Sequence, residues 1–208
     1  MKIINISLPL NENTPIYPGN VPVFVSVHQQ MPENSSASSS ITFGSHTGTH
    51  IDAPSHAIWG APTLEKIPLE AFVGPCRVLD FSGESEEAVT KSFLQNKNIR
   101  SGERILLKTK NSARGFENFY DDYVYLDGDA ADYLAEVGAA LVGIDALSIK
   151  QKGSPDHRPH LALLSKNIPI IEGLNLKEAE EGEYEIFCPP IFLTDIDGAP
   201  ARALLIQS

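Results

Sequence analysis

The chain has 208 residues, 42% hydrophobic and 21% charged, with 27 acidic against 16 basic residues and a formal net charge of −11. This is enough chain for one well-buried domain, and no apolar run approaches the ~20 residues that a membrane span needs. Lys and Arg are scattered and form no basic stripe, so neither nucleic acid nor a membrane is expected as a partner.

The N-terminal Met1-Lys2-Ile3-Ile4-Asn5-Ile6-Ser7 lacks a charged start followed by the full apolar core and small-residue cleavage site of an export signal. Cys76 and Cys188 stand far apart in the chain and read as reduced core thiols, so a cytoplasmic setting is expected. Residues Ile3 to Leu8 predict a first strand, followed by a turn-rich segment in which Tyr17 sits between Pro15 and Pro18. Held stiffly there, Tyr17 either packs under the loop or forms an aromatic wall for a flat substrate. Val23, Val25 and Val27 alternate with Phe24, Ser26 and His28, predicting a second strand, while Met31 to Ser40 is too small and polar to bury and predicts a surface loop. Ile41 to Gly44 resumes a strand.

The chain then enters Ser45-His46-Thr47-Gly48-Thr49-His50-Ile51-Asp52-Ala53-Pro54-Ser55-His56, which holds three of the six histidines. As a strand, with Thr47, Thr49 and Ile51 on one side, it places His46, His50 and Asp52 on the other face. A helix would also align His46 with His50 but would turn Asp52 about 200° away from His50, and Gly48 and Pro54 disfavour it. An unbent strand would hold the two histidines ~13 Å apart at Cα, too far for easy sharing of one ion, so a bend or bulge is expected near Gly48. Trp59, three residues past His56, either lines the same cavity or fills the core.

Further on, Pro68 to Phe72 predicts a helical turn, Arg77 to Phe81 a strand, and Ser85 an N-cap for a helix over about 86–95. Arg104 to Thr109 and Tyr123 to Leu126 predict strands. Asp129 is expected to cap a helix that runs to Val137 and stops at Gly138. Leu141 to Asp145 is an apolar run ending in an acid, predicting a buried strand whose tip reaches a site. Pro155-Asp156-His157-Arg158-Pro159-His160 reads as a loop before a short helix through Leu164. Ile168 to Leu174 places Glu172 inside an apolar run, where a lone carboxylate costs several kcal/mol unless a cation meets it. The C-terminal part, with strands expected over Tyr184 to Cys188 and Ala203 to Ile206, offers no recognisable chemistry. Strands separated by helices give an α/β class.

Five of the six histidines fall in two groups, and two carboxylates accompany them. His46, His50, Asp52, His160 and Glu172 are the candidate ligands, and with Asp52 bridging through both oxygens the set can hold two ions. The competing reading makes these residues caps, turns and satisfied core groups. His157 is the weaker of its pair.

The string from His46 to His56, with Glu172 in an Ile-Ile-Glu-Gly-Leu setting, resembles the metal-dependent cyclase superfamily, which includes bacterial kynurenine formamidase and isatin hydrolase. The likeness extends to Pro15-Ile16-Tyr17-Pro18-Gly19, Ile67-Pro68-Leu69 through Gly74-Pro75, and Val142-Gly143-Ile144-Asp145 with Ser148 nearby. The resemblance implies a single domain of swivelling β/β/α type, with a mixed, barrel-like sheet, peripheral helices and a homodimer or homotetramer. It implies two divalent ions per subunit, zinc or in its place manganese: one held by His46, His50 and Asp52, the other by Asp52, His160 and Glu172. It makes His56 the acid/base residue and places Tyr17 at the substrate's ring, with Trp59 a second candidate for packing that ring. Formamidases typically carry tryptophan at the position of Tyr17 and an acid at that of Lys150. The expected activity is hydrolysis of N-formylkynurenine to kynurenine and formate. The alternatives are hydrolysis of a cyclic amide (lactam), as by isatin hydrolase, and a metal-binding module without turnover.

Overall fold

The computed structural model describes residues 1–84 and 86–207. Its strands are β1 (Lys2–Asn5), β2 (Phe24–Gln29), β3 (Ser38–Thr42), β4 (His50–Asp52), β5 (Val73–Asp80), β6 (Ala88–Val89) and β7 (Arg104–Lys108). They continue with β8 (Tyr125–Leu126), β9 (Leu141–Ile144), β10 (Ile170–Glu172), β11 (Gly182–Phe187), β12 (Gly198–Pro200) and β13 (Leu204–Gln207). The helices are α1 (Lys91–Gln95), α2 (Lys110–Arg114), α3 (Gly128–Val137) and α4 (Arg158–Leu164), with short 3-10 turns at Pro54–His56, Leu64–Lys66 and Leu69–Phe72.

A nine-stranded mixed sheet has the order β1-β13-β11-β5-β7-β9-β10-β4-β12. The middle strands β5, β7, β9 and β10 run parallel, and antiparallel strands flank them on both sides. The sheet curls into a half-barrel. Just past β1 the chain reaches across it, where Ser7 bridges Leu174 and the Asn175 amide donates to the Ile6 carbonyl at 2.9 Å. The α/β class and the barrel-like sheet with peripheral helices therefore agree with the sequence.

β9, β10 and the centre of β7 are buried on both faces, which is why they read as continuous apolar runs. In β7, Ile105 and Leu107 join Leu134 of α3 and Leu163 of α4 on the helical side, while Leu106 joins Val78, Leu141 and Ile186 inside the curl. Side chains alternate across a strand, so one sequence serves two cores. No helix among the described residues is long and apolar enough to cross a membrane.

Several local expectations shift. Ser85, the expected cap, lies outside the described residues; 88–89 form β6 and the helix starts only at Lys91. α3 is capped by Asp127, whose side chain accepts from the Ala130 amide at 2.6 Å, and not by Asp129. Its end is as expected, with Gly138 left-handed at φ +79°. Pro159 does not keep its segment in a loop: it lies in the first turn of α4, where the absent N–H costs nothing, and so His160 is helical. β3 begins at Ser38, inside the expected loop. Asp145 does not reach a site. It is buried and accepts from Thr109 N and Oγ1, both at 2.8 Å, and from Ser112 N at 3.0 Å, tying the end of β9 to the start of α2. Burial still pushes its carboxyl up to about 6 against those donors.

Candidate metal centre

The strand expected over the histidine segment is broken where a bend was expected. Gly48 takes φ +62°, and only His50–Asp52 belong to β4. Antiparallel pairing then sets Glu172 of β10 opposite His50, and Ile170 opposite Asp52, so the two carboxylates and His50 share one face. α4 supplies His160, and the 3-10 turn at Pro54–His56 supplies His56. Five groups expected from sequence, His46, His50, Asp52, His160 and Glu172, thus meet at the carboxyl end of β9 and β10, where open α/β sheets bind ligands.

The contacts leave deliberate gaps. His50 Nδ1–H donates to the Gly48 carbonyl at 2.9 Å, so the Nε2 lone pair points inward, 3.4 Å from both Asp52 Oδ1 and Glu172 Oε2. His46 Nδ1 lies 2.8 Å from Asp52 Oδ1. His160 Nε2 lies 3.2 Å from Glu172 Oε1 and 3.7 Å from Asp52 Oδ2. His50 Nε2 and Asp52 Oδ2 are buried with no hydrogen-bond partner. A lone pair and carboxylate oxygens converging on one point repel unless a cation joins them, so the donor set fits divalent metal. Burial opposes charge on His50, yet Asp52 and Glu172 overcome it and push the imidazole up to about 10, a measure of how strongly the place favours positive charge. The same burial opposes ionisation of Glu172, as does Asp52, but the facing His160 and His50 hold it below its ordinary value.

Ligand-capable atoms of His50, Asp52 and Glu172 lie within 4.8 Å of one another, and so do those of His46, Asp52 and His56. His56 is therefore near enough to coordinate as well as to move protons. Its ring centre is 4.1 Å from that of His46 and 5.3 Å from that of His160. Burial, together with those two imidazoles, lowers its pKa against the pull of Asp52 and Glu172.

Over the cluster opens a cavity of about 390 Å³, walled by Tyr17, Asn20, Leu147, Ser148, Lys150 and Leu161, with His157 also at its edge. Tyr17 is braced edge-on against Phe119, their ring centres 5.2 Å apart. Trp59 corrects the reading made from sequence: at 103% relative exposure it neither lines the cavity nor fills the core. It follows the 3-10 turn that carries His56.

Asp197 went unseen in the sequence. Its Oδ2 lies 2.8 Å from His46 Nε2 and 3.8 Å from His56 Nδ1, so the C-terminal part does bring chemistry to the site. The one available signal was a carboxylate directly before the glycine that opens β12.

Gly173 packs against the histidine bend with φ +68°, and a Cβ there would come within 2.3 Å of the Gly48 carbonyl that orients His50. Gly173→Ala is expected to push that carbonyl aside, release His50 Nδ1 and weaken zinc uptake about 10-fold or more. Competition against a chromophoric chelator measures it, and unchanged affinity contradicts the role given to Gly48.

Residues 4–151 match the model of the family described as "Putative cyclase", a span that takes in the histidine segment but not His160, Glu172 or Asp197. The chain is 35% identical over 204 residues to kynurenine formamidase of Bacillus cereus (strain ATCC 10987 / NRS 248), covering 97% of this chain and 96% of that one. It superposes with TM-score 0.88 on a solved structure described as a potential metal-dependent hydrolase with cyclase activity, at 37% identity over 98% of this chain and 96% of that one. Isatin hydrolase A from Ralstonia solanacearum shares the fold, with TM-score 0.85 at 23% identity over 99% and 92% of the two chains. On the family match and the full-length likeness together, the chain belongs to the cyclase family.

Proposed function

We propose that this protein is a metal-dependent amide hydrolase, an arylformamidase that converts N-formylkynurenine to kynurenine and formate. The observation that carries the reading is the pair of buried, unpartnered atoms, His50 Nε2 and Asp52 Oδ2, set among His46, His160 and Glu172, which line a cavity that also has Tyr17 in its wall. The full-length likeness to a kynurenine formamidase supports the choice of substrate. His46, His50 and Asp52 would hold one ion and Asp52, His160 and Glu172 a second, zinc or manganese. Ions held there supply Lewis acidity toward an amide carbonyl and make water a nucleophile at neutral pH.

The chain's own residues do the rest. The Ile149 amide donates to Glu172 Oε1 at 2.6 Å and fixes that carboxylate. His56, held neutral by burial and by its imidazole neighbours, takes a proton from the attacking water. It returns that proton to the amine nitrogen, which would leave poorly as an anion. Tyr17, braced by Phe119, packs the aryl ring at the cavity wall.

We further infer a homodimer or homotetramer. All six residues of β2 and all five of β3 are exposed, and a two-stranded hairpin with no covered face is marginal alone, so a second copy covers it. The two buried thiols, Cys76 and Cys188, suit a reducing cytoplasm.

Initial rates of zinc- and manganese-loaded protein on N-formylkynurenine and isatin, side by side, test the activity. We expect kcat/KM to favour N-formylkynurenine by about 10-fold or more, at least ~1.4 kcal/mol of differential transition-state binding. A preference for isatin replaces the reading with lactam hydrolysis, and no turnover of either leaves a metal-binding module.

A further inference from the structure

His46 meets a carboxylate at each ring nitrogen, with Nδ1 2.8 Å from Asp52 Oδ1 and Nε2 2.8 Å from Asp197 Oδ2. Asp52 is wholly buried within the ligand cluster, whereas the Asp197 side chain is 44% exposed at its rim. An imidazole that offers one nitrogen's lone pair to a cation must carry its proton on the other. The proton therefore belongs on Nε2, where Asp197 accepts it, and the lone pair on Nδ1, beside Asp52. We propose that Asp197 is the positioning residue of His46, locking the Nε2–H tautomer and the ring plane and thereby setting the affinity of the His46 side of the centre for metal. This rests on the reading that the cluster holds divalent ions.

The surrounding backbone is shaped for this contact. Gly198, directly after Asp197, pairs with Asp52 across β12 and β4. A Cβ on Gly198 would come within 2.8 Å of His46 Cε1 and 2.6 Å of the Ile51 carbonyl, so only glycine lets the imidazole lie against the strand and reach the carboxylate beside it. The Ala53 amide donates to the Asp197 carbonyl at 2.9 Å and fixes the backbone from which that carboxylate projects. Asp197 serves His46 and not His56, because its 3.8 Å separation from His56 Nδ1 is beyond a hydrogen bond. A carboxylate behind a ligating histidine fixes its orientation and raises its basicity, and loss of such a partner typically weakens metal binding about 10- to 100-fold.

The test is zinc affinity, measured by competition with a chromophoric chelator on wild type, Asp197→Ala and Asp197→Asn, beside thermal melts of the metal-free proteins. Asp197→Ala is expected to bind zinc about 10- to 100-fold more weakly. Asp197→Asn, whose amide oxygen still accepts from Nε2–H, should lose less. A merely structural residue would lower the melting temperature and leave the affinity of folded protein alone. Wild-type affinity in both variants overturns the proposal while the metal reading stands. Wild-type protein that takes up no zinc overturns the metal reading and the proposal together. If Asp197→Ala does not fold, the asparagine variant decides: a measurable loss supports the proposal and wild-type affinity refutes it.

Discussion

Asp52→Ala is expected to empty the centre altogether. Asp52 is fully buried, and its two oxygens face different partners: Oδ1 toward His46 Nδ1 at 2.8 Å and His50 Nε2 at 3.4 Å, Oδ2 toward His160 Nε2 at 3.7 Å. Among the candidate ligands only Asp52 comes within salt-bridge distance of His46, His50 and His160 together. Glu172 spends Oε1 on His160 and the Ile149 amide, and Oε2 on His50, and makes no approach to His46 within salt-bridge distance among the described residues. Alanine at position 52 removes the one group common to both ligand-capable triads and leaves His46, His50 and His56 with Glu172 as the one acid of those triads. Turnover should fall about 10³-fold or more, since Lewis acidity and the activated nucleophile vanish together. Elemental analysis of metal-loaded, desalted protein checks it. A full metal complement in Asp52→Ala would show that the carboxylate bridges nothing.

The contrast between Asp52 and Asp197 explains what could be read from the chain. Asp52 stands two residues from His50 in a segment that has strand character, so its side is set by local alternation, and Glu172 stands out as an acid in the apolar run Ile168 to Leu174. Both cues are local, and strand pairing merely delivered what they implied. Asp197 lies 151 residues from His46 in a Thr-Asp-Ile-Asp-Gly stretch that reads as an ordinary turn. Its role comes from β12 pairing with β4, a register no short-range pattern encodes.

Alternation has a second blind spot. Val23, Val25 and Val27 announce a strand with one face to cover, but they do not say what covers it. Val23 is buried, yet β2 from Phe24 onward lies open on both faces. Trp59 failed for a related reason: bulk and apolarity argued for burial, while the side chain stands fully exposed on the surface. Asp127 and Asp129 show the limit for helix ends, since two acids two residues apart cap equally well on paper and only the course of the preceding strand β8 selects the first. The same holds for Pro159, which reads as a loop former until the chain is seen to turn one residue earlier.

His56→Ala is expected to separate chemistry from metal holding. His56 ends a 3-10 turn at the mouth of the cavity, its side chain 31% exposed, whereas His50 is sealed within the cluster. Nδ1 has no hydrogen bond to another side chain among the described residues, so the ring is free to turn between water and a departing amine. If it moves protons and does not coordinate, Asp52 and its ligand set stay intact. The alanine variant should then keep its metal while kcat falls about 10²- to 10⁴-fold, the usual contribution of a general acid/base, with KM nearly unchanged because the interaction exists only in the transition state. The pH profile provides a second reading. Burial lowers His56 from its ordinary 6.5, and only the neutral ring can accept a proton, so wild-type kcat/KM should hold level through pH 7 and fall as pH drops through a value below 6.5. That acid limb should flatten in His56→Ala, and imidazole in the buffer should restore part of the rate. Loss of metal from His56→Ala would instead make His56 a ligand in the triad with His46 and Asp52, and would move the acid/base role to another group at the cavity wall.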